Sequence, residues 1–377
     1  MKFFYKILTI FAISISIFSV PCICEAKADS LSYSSAESMV VIETLSNKVL
    51  YSKDKDKPLP MASTTKIVTA ITCLDNCEDI DALVTVPRSA TLVEGSSIYL
   101  REGEQLTVRQ LLYGLMLQSG NDSAETLALY IGGSKENFAK MMNETAIKCG
   151  AENSSFVTPH GLDDKNHYTT AYDLAKITSY ALKNPIFKEI VSSKSYKIPA
   201  TEHNTARTLV NKNKLLSSLE GCTGVKTGYT KKSGRCLVTS CERDDMEVVC
   251  VVLNCGPMFE ESANLINTAF KEYKRIEILP SYKFAVDVQV LGGTANSVRL
   301  YNKNGFSVID KEENAGRYTL KYDYEQTVQA PVNKGDCLGK VEIYFDNSLI
   351  FTENLCSIEN IEEEKNTLDI KDILDNW

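Results

Sequence analysis

The chain has 377 residues, of which 44% are hydrophobic and 24% charged, with a formal net charge of −8. That length suits two domains. The acidic balance, with no low-complexity tract, excludes a nucleic-acid binder, which would carry a basic patch.

In chain order, Lys2 and Lys6 precede an apolar run from Ile7 to Val20, followed by Pro21 and the small-residue site Ala26-Lys27-Ala28. This layout predicts a secretory signal peptide over 1–28, cut after Ala28. A retained membrane anchor is the alternative, but the apolar run is short for a span. Export would place the protein in the extracytoplasmic cell envelope. Cleavage would remove Cys22 and Cys24 and leave Cys73, Cys77, Cys149, Cys222, Cys236, Cys241, Cys250, Cys255, Cys337 and Cys356. Exported proteins carry disulfides. Yet several of these cysteines lie in apolar runs such as "MEVVCVVLNC", where cysteine packs as a small hydrophobe. Mostly free, buried thiols are expected. Cys73 and Cys77 are not a CxxC pair, and no paired CxxC with histidines occurs, so no metal is expected.

The segment "AESMVVIETLSNKVLYS" reads as two strands around a Ser-Asn turn, and "DKDKPLP" as a polar loop. From Ser63 a helix is expected, because Ile67, Val68, Ile71 and Leu74 recur at helical spacing. Residues 82–105 have strand and turn character. "TVRQLLYGLMLQ", "SGNDSAETLALYIGG" and "KENFAKMMNETAIKCG" read as successive helices. "FVTPHGLDDKNHYTT" reads as a polar loop, and "AYDLAKITSYALKNPIFKEIV" as helix again. After residue 194 short strand candidates follow, "SYKIPA", "ARTLV", "GVKTGYT", "GRCLVTSC" and "MEVVCVVLNC", and "SANLINTAFKEYKR" closes the region as a helix. From about 275 only strands are expected. Strands flanked by a block of helices, then a strand-only segment, give an α+β domain over 29–274, a small all-β domain over 275–356 and an acidic tail over 357–377.

Three short motifs stand out, and each has a decoy. Ser63-x-x-Lys66 is matched by Ser52 to Lys55, Ser119-Gly120-Asn121 by Ser262-Ala263-Asn264, and Lys226-Thr227-Gly228 by Lys232-Ser233-Gly234. Context separates them. Ser63 and Lys66 open an apolar helix and fall on one face, a turn apart. Ser119 to Asn121 break two apolar helices, where side chains can project into a cleft. Lys226 to Gly228 lie on a strand, and Gly228 allows close approach of another backbone. The decoys lie in a charged loop, inside a helix and at a turn.

The order SxxK, SxN, KTG is shared by penicillin-binding proteins and class A β-lactamases. With "PLPMASTTKIVTA", "LLYGLMLQSGNDSAETLA", "FVTPHGLDDKNHYTTAYDLA", "VNKNKLL", "GVKTGYTKKSGRCLVTS" and "APVNKGDCLGKV", the chain resembles the low-molecular-mass penicillin-binding proteins that are serine-type D-Ala-D-Ala carboxypeptidases. The resemblance covers nearly the whole chain after residue 28. It implies a β-lactamase/transpeptidase-like domain, an antiparallel sheet with helices and a helical cluster, followed by the β domain. It implies Ser63 as nucleophile, acylated by the penultimate D-alanine of a peptidoglycan stem peptide and by β-lactams as inhibitors, with no cofactor. A serine needs an adjacent base. Only His160, His167 and His203 are present and no GxSxG elbow occurs, so Lys66 is the candidate base. An ordinary lysine must drop by roughly 3 pKa units to be neutral near pH 7, and burial or a neighbouring cation such as Lys226 shifts it that way. Ser119 is expected to relay a proton to the leaving amine. Asn121 is expected to hold a peptide amide, and Lys226 and Thr227 the terminal carboxylate. Backbone N–H groups of Ser63 and Tyr229, beside Gly228, are expected to form the oxyanion hole.

Three alternatives stay open: a β-lactamase, a DD-endopeptidase on the same fold, and a non-catalytic wall-binding relic. No glutamate-bearing ExxLN-like loop of the lactamase kind occurs within 130–200. Two departures stand out. Relatives often place an arginine after the last strand of the first domain, and "NCGPMFEESANL" has none. Relatives also often end in a basic membrane-lying helix. Here Ile370, Ile373, Leu374 and Trp377 are spaced as an apolar face, but residues 357–377 carry seven Asp/Glu and two Lys. Interfacial helices favour cations on the polar face, so weak or absent membrane contact is expected.

Overall fold

The computed structural model describes residues 29–30 and 34–364. The expected signal peptide, 1–28, and the tail from 365 lie outside the described residues. The chain forms two compact units. One extends to Ile276 and takes in Ser307–Ala315, while the other holds Glu277–Phe306 and the chain from Gly316 onward.

The strands of the first unit are β1 Asp29–Ser30, β2 Ser38–Glu43, β3 Val49–Lys53, β4 Leu83–Thr85, β5 Gln105–Thr107, β6 Ser195–Ile198, β7 Arg207–Val210, β8 Cys222–Thr230, β9 Gly234–Arg243 and β10 Met246–Leu253. Six of them form the main sheet in the order β1-β3-β2-β10-β9-β8. The pairings are antiparallel, as expected, except that the short β1 runs parallel to β3. The β4/β5 and β6/β7 pairs stand apart as two-stranded ribbons.

The helices are α1 Lys66–Asn76, α2 Val108–Leu117, α3 Asn121–Gly132, α4 Lys135–Lys148, α5 Ala171–Leu182, α6 Pro185–Ser192, α7 Leu215–Ser218 and α8 Met258–Glu272. The helix expected from Ser63 starts instead as a 3-10 turn, Ala62–Thr65, with α1 beginning at Lys66. The single helix expected over 171–191 is two. Pro185 cannot donate into a preceding turn, and Asn184 caps a new helix through its side chain.

The period-2 alternation of the sheet explains the layering. Met39 and Val41 of β2, with Val248, Cys250 and Val252 of β10, pack with Leu265, Ile266 and Ala269 of α8. Val40 and Ile42, with Val249 and Val251, pack with the helical cluster of α1, α2, α3 and α5. Because both faces of β10 are covered, its sequence reads as a nearly continuous apolar run.

The second unit is all-β. After β11 Tyr273–Leu279 come β12 Phe284–Leu291, β13 Ser297–Asn302, β15 Tyr318–Tyr324, β16 Thr327–Gln329, β17 Cys337–Phe345 and β18 Ser348–Ser357, while β14 Phe306–Lys311 lies almost wholly in the 307–315 stretch that belongs to the first unit. A six-stranded sheet runs β15-β17-β18-β13-β12-β16 around Val288, Val298, Leu300, Val341, Ile343 and Leu355. One departure from strands alone is a 3-10 turn at Glu312–Arg317. Cys337 and Cys356, opposite each other on β17 and β18, form a disulfide, whereas the expectation of free thiols holds for the other eight cysteines among the described residues. Residues 357–364 continue this unit rather than leaving it. Ile361 is buried, and its backbone exchanges hydrogen bonds with Val332 at 2.8 and 2.9 Å. Among the described residues no helix is long and apolar enough to cross a membrane.

Candidate active site

β8 is the last strand of the main sheet, and the Ala62–Thr65 turn lies against it. Gly228 permits that approach. A Cβ there would sit 2.9 Å from the Met61 carbonyl oxygen and 3.1 Å from the Ser63 and Thr64 backbone nitrogens. Ala62 turns the chain with φ +50°, in the left-handed region. Ser63 follows it, half-buried.

Lys66 is fully buried at the start of α1. Its Nζ lies 3.1 Å from Ser63 Oγ, 2.7 Å from Asn121 Oδ1 and 2.7 Å from the His160 carbonyl oxygen. Burial, then the charges of Lys226 and Lys212, push its pKa well below the ordinary lysine value, against an opposing pull from Asp122. A neutral amine has two N–H donors and one lone pair. Two of the three neighbours are carbonyl oxygens, which can only accept. The lone pair is therefore left for the Ser63 hydroxyl proton.

The second motif sits where the sequence pattern put it, between α2 and α3. Ser119 takes φ +64°, Gly120 caps α3, and Asn121 is its first residue. Ser119 is buried, and its Oγ has no hydrogen-bond partner in the protein. Asn121 spans the site: while Oδ1 takes the Lys66 amine, Nδ2 donates to the Glu94 carbonyl at 2.5 Å, and its backbone N–H donates to Ser96 O at 2.7 Å. Next to it, Asp122 gathers the wall of the cleft. Its carboxylate accepts from Ser97 Oγ at 2.6 Å and from the backbone N–H groups of Ile98 and Leu100 at 3.1 and 3.0 Å.

On β8, Lys226 is buried and donates to the Thr227 carbonyl at 2.9 Å, and burial with the nearby Lys212 lowers its pKa to about 7. Thr227 is half-buried. Tyr229 is 64% exposed, so its side chain points to solvent. The decoys lie elsewhere: Ser262 is buried on α8, across the sheet, and Ser233 sits in the turn joining β8 to β9.

Sequence reasoning missed three contributors. The His160 backbone carbonyl has no side-chain signature at all. Gly161, with φ +84°, is packed so that any Cβ would collide with the Ala62 carbonyl oxygen and lie 2.8 Å from Thr65 Oγ1. Lys212 lies within "VNKNKLL", a stretch quoted above without a role. Its side chain is exposed at the rim, yet desolvation lowers its pKa, and Nζ lies 3.4 Å from Ser96 Oγ. Its spacing from Lys214 could not say which lysine faces the cleft.

Residues 25–256 match the family described as D-alanyl-D-alanine carboxypeptidase, and residues 273–363 match the penicillin-binding protein 5 C-terminal domain. The chain is 29% identical over 352 residues to the D-alanyl-D-alanine carboxypeptidase DacF of Bacillus subtilis (strain 168), covering 91% of this chain and 90% of that one. It is 30% identical over 344 residues to DacC of Escherichia coli (strain K12), covering 87% and 84%. Among solved structures, penicillin-binding protein 5 of Haemophilus influenzae superposes with a TM-score of 0.67 at 27% identity, over 87% of this chain and 98% of that one. Matched along the first unit by the one description and along the second by the other, this chain belongs to the D-alanyl-D-alanine carboxypeptidase family.

Proposed function

We propose that this protein is a serine-type carboxypeptidase that removes the terminal D-alanine from peptidoglycan stem pentapeptides, outside the cytoplasm and after removal of residues 1–28. Ser63 is the nucleophile and Lys66 its base. The observation that carries this is the set of three partners around the Lys66 amine, two obligate acceptors and one hydroxyl.

The reaction has two steps. Ser63 Oγ gives its proton to Lys66 Nζ and attacks the carbonyl of the penultimate D-alanine. The backbone N–H groups of Ser63 and Tyr229 take the developing oxyanion. Ser119, whose Oγ is buried without a partner, passes the proton to the leaving amine. D-Alanine departs, an acyl-enzyme remains, and water, deprotonated through the same lysine, releases the shortened peptide. A β-lactam carbonyl enters the same step and leaves Ser63 acylated.

The terminal carboxylate meets Thr227 and the cations Lys226 and Lys212. These two lysines take the place of the arginine that 254–265 lacks. Asn121 holds the substrate amide through the second Nδ2 N–H only, because Oδ1 is engaged by Lys66 and the first N–H by the Glu94 carbonyl. The outer edge of β8, which no strand of the sheet covers, supplies backbone groups for an extended peptide.

Fluorescent penicillin and a pentapeptide ending in D-Ala-D-Ala test the reading together. Wild-type protein becomes covalently labelled and releases D-alanine without crosslinked product. Ser63→Ala loses both. Lys66→Arg also loses both, since a guanidinium stays protonated at any working pH. Normal labelling of either variant overturns the assignment.

A further inference from the structure

The loop between α4 and α5 runs beside α1 and reaches the site by backbone as well as by side chain. Thr69 Oγ1 donates to the Pro159 carbonyl at 2.6 Å, and Lys66 to the His160 carbonyl. Further along the loop, His167 is 3% exposed, with both ring nitrogens engaged. The Val157 backbone N–H points at Nδ1 at 3.0 Å, and Nε2 lies 2.8 Å from Thr65 Oγ1.

These contacts leave one arrangement of protons. An amide N–H can only donate, so Nδ1 holds the lone pair and the ring proton is on Nε2. Thr65 Oγ1 therefore accepts from Nε2–H. The threonine's own proton is then free for the Ala62 carbonyl, 2.8 Å away. Ala62 is the residue at φ +50° whose turn precedes Ser63, and a residue with a Cβ is held there at a cost of roughly 1–2 kcal/mol. Gly161 of the same loop abuts the same carbonyl. The ring is enclosed by Phe156, edge-on with centroids 5.9 Å apart. The titratable groups acting on it are His160 and Asp164 of the loop and Lys66 of α1.

We propose that His167 is a positioning residue for acylation: its Nε2–H fixes the Thr65 hydroxyl on the Ala62 carbonyl and so holds the left-handed turn that aims Ser63. The imidazole touches neither substrate nor the reacting atoms. Burial, with the charges of His160 and Lys66, lowers its pKa to about 4, which keeps the ring neutral and the chain of donors intact at working pH. A charged ring would set a second N–H against that of Val157.

The two halves of the clasp separate by substitution. His167→Asn places an acceptor near the Nδ1 position and keeps the loop contact with Val157, but cannot reach Thr65. His167→Gln reaches Thr65 with its amide N–H and gives up the loop contact. If the ring aims Ser63, His167→Asn and Thr65→Val slow acylation by fluorescent penicillin by about 10- to 100-fold. D-Alanine release then falls in kcat, with KM within about twofold. His167→Gln and Thr65→Ser stay within about threefold of wild type, and combining His167→Asn with Thr65→Val costs no more than either alone. Thermal melts run alongside separate folding from rate.

If His167→Gln is as slow as His167→Asn, or if His167→Asn acylates normally, the ring holds only the loop and the proposal fails. The inference rests on Ser63 as nucleophile. Labelling that persists in Ser63→Ala removes that assignment and the clasp with it, whereas a silent Ser63→Ala with matched Asn and Gln variants removes the clasp alone.

Discussion

Lys226 and His167 show what burial does to a single titratable side chain. Lys226 falls from 10.5 to about 7 because desolvation and Lys212 both disfavour its charge. Below its unfolded value the unfolded chain binds a proton that the folded chain holds less tightly, so stability rises as pH climbs from 7 toward 10.5. Lys226→Met removes this cost and is expected to stabilise the protein by on the order of 3–4 kcal/mol at pH 7, measured by denaturant unfolding, while carboxypeptidase activity is lost. The same shift predicts proton uptake on binding. If the substrate carboxylate docks on Lys226 as proposed, it restores the ammonium, so KM rises with pH above 7, and calorimetry in buffers of different ionisation enthalpy registers a gain that approaches about one proton well above pH 7. His167 works in the acid range. Its pKa is lowered from 6.5 to about 4, so the unfolded chain takes up a proton first, and stability falls by about 3 kcal/mol as pH drops through that window. His167→Gln loses this slope in acid unfolding curves.

At the scale of elements, the site is a contact between a turn and a strand edge. The Ala62–Thr65 turn is pressed between β8 on one side and the 157–167 loop on the other. Each neighbour touches it through a glycine. Gly228→Ala is expected to push β8 off the Met61–Thr64 backbone and so to open the proposed oxyanion hole. Acylation by fluorescent penicillin is expected to fall about 100-fold, with a thermal midpoint lowered by only a few degrees. Gly161→Ala meets both the Ala62 carbonyl and a φ of +84°, so it is expected to destabilise by about 2–3 kcal/mol as well as slow acylation. A larger rate loss with no change in stability would contradict the packing argument for Gly161. Asp122 does the same work for the opposite wall. One buried carboxylate accepts from the Ile98, Leu100 and Ser123 backbone N–H groups and the Ser97 hydroxyl, which keeps the 97–100 segment beside Asn121.

At the scale of the molecule, the second unit has its own core and its own closing segment. Residues 357–364 belong to it: Ile361 is buried, Thr294 N–H donates to Glu362 O at 2.8 Å, and Glu364 N–H donates to Gly292 O at 2.8 Å. Truncation after 356 is expected to cost about 2–4 kcal/mol in the unfolding of this unit, through the lost Ile361 side chain and backbone pairs. Truncation after 364 is expected to leave that transition in place. Neither is expected to empty a membrane fraction, because the sequence over 357–377 carries seven Asp/Glu against two Lys, and vesicle co-sedimentation measures this directly.

The sequence by itself carried the order of the motifs and, through their resemblance to a known family, the kind of site proposed above. Ser63 and Lys66 at the head of an apolar run, Ser119 to Asn121 between two helices, and Lys226 to Gly228 on a strand were all legible, because side-chain periodicity and the breaks in it are local properties. It also carried the α+β domain followed by strands. Tertiary structure decided which atoms meet. That Asn121 faces Lys66, that a histidine carbonyl completes the amine's shell, and that Lys212 crowds Lys226 depend on segments up to about a hundred residues apart. The pairing of Cys337 with Cys356 likewise followed from the register of β17 and β18. The physical reason is common to all of them. A lysine becomes a base only when burial removes its water and its neighbours leave one lone pair unclaimed, and both conditions arise only from packing.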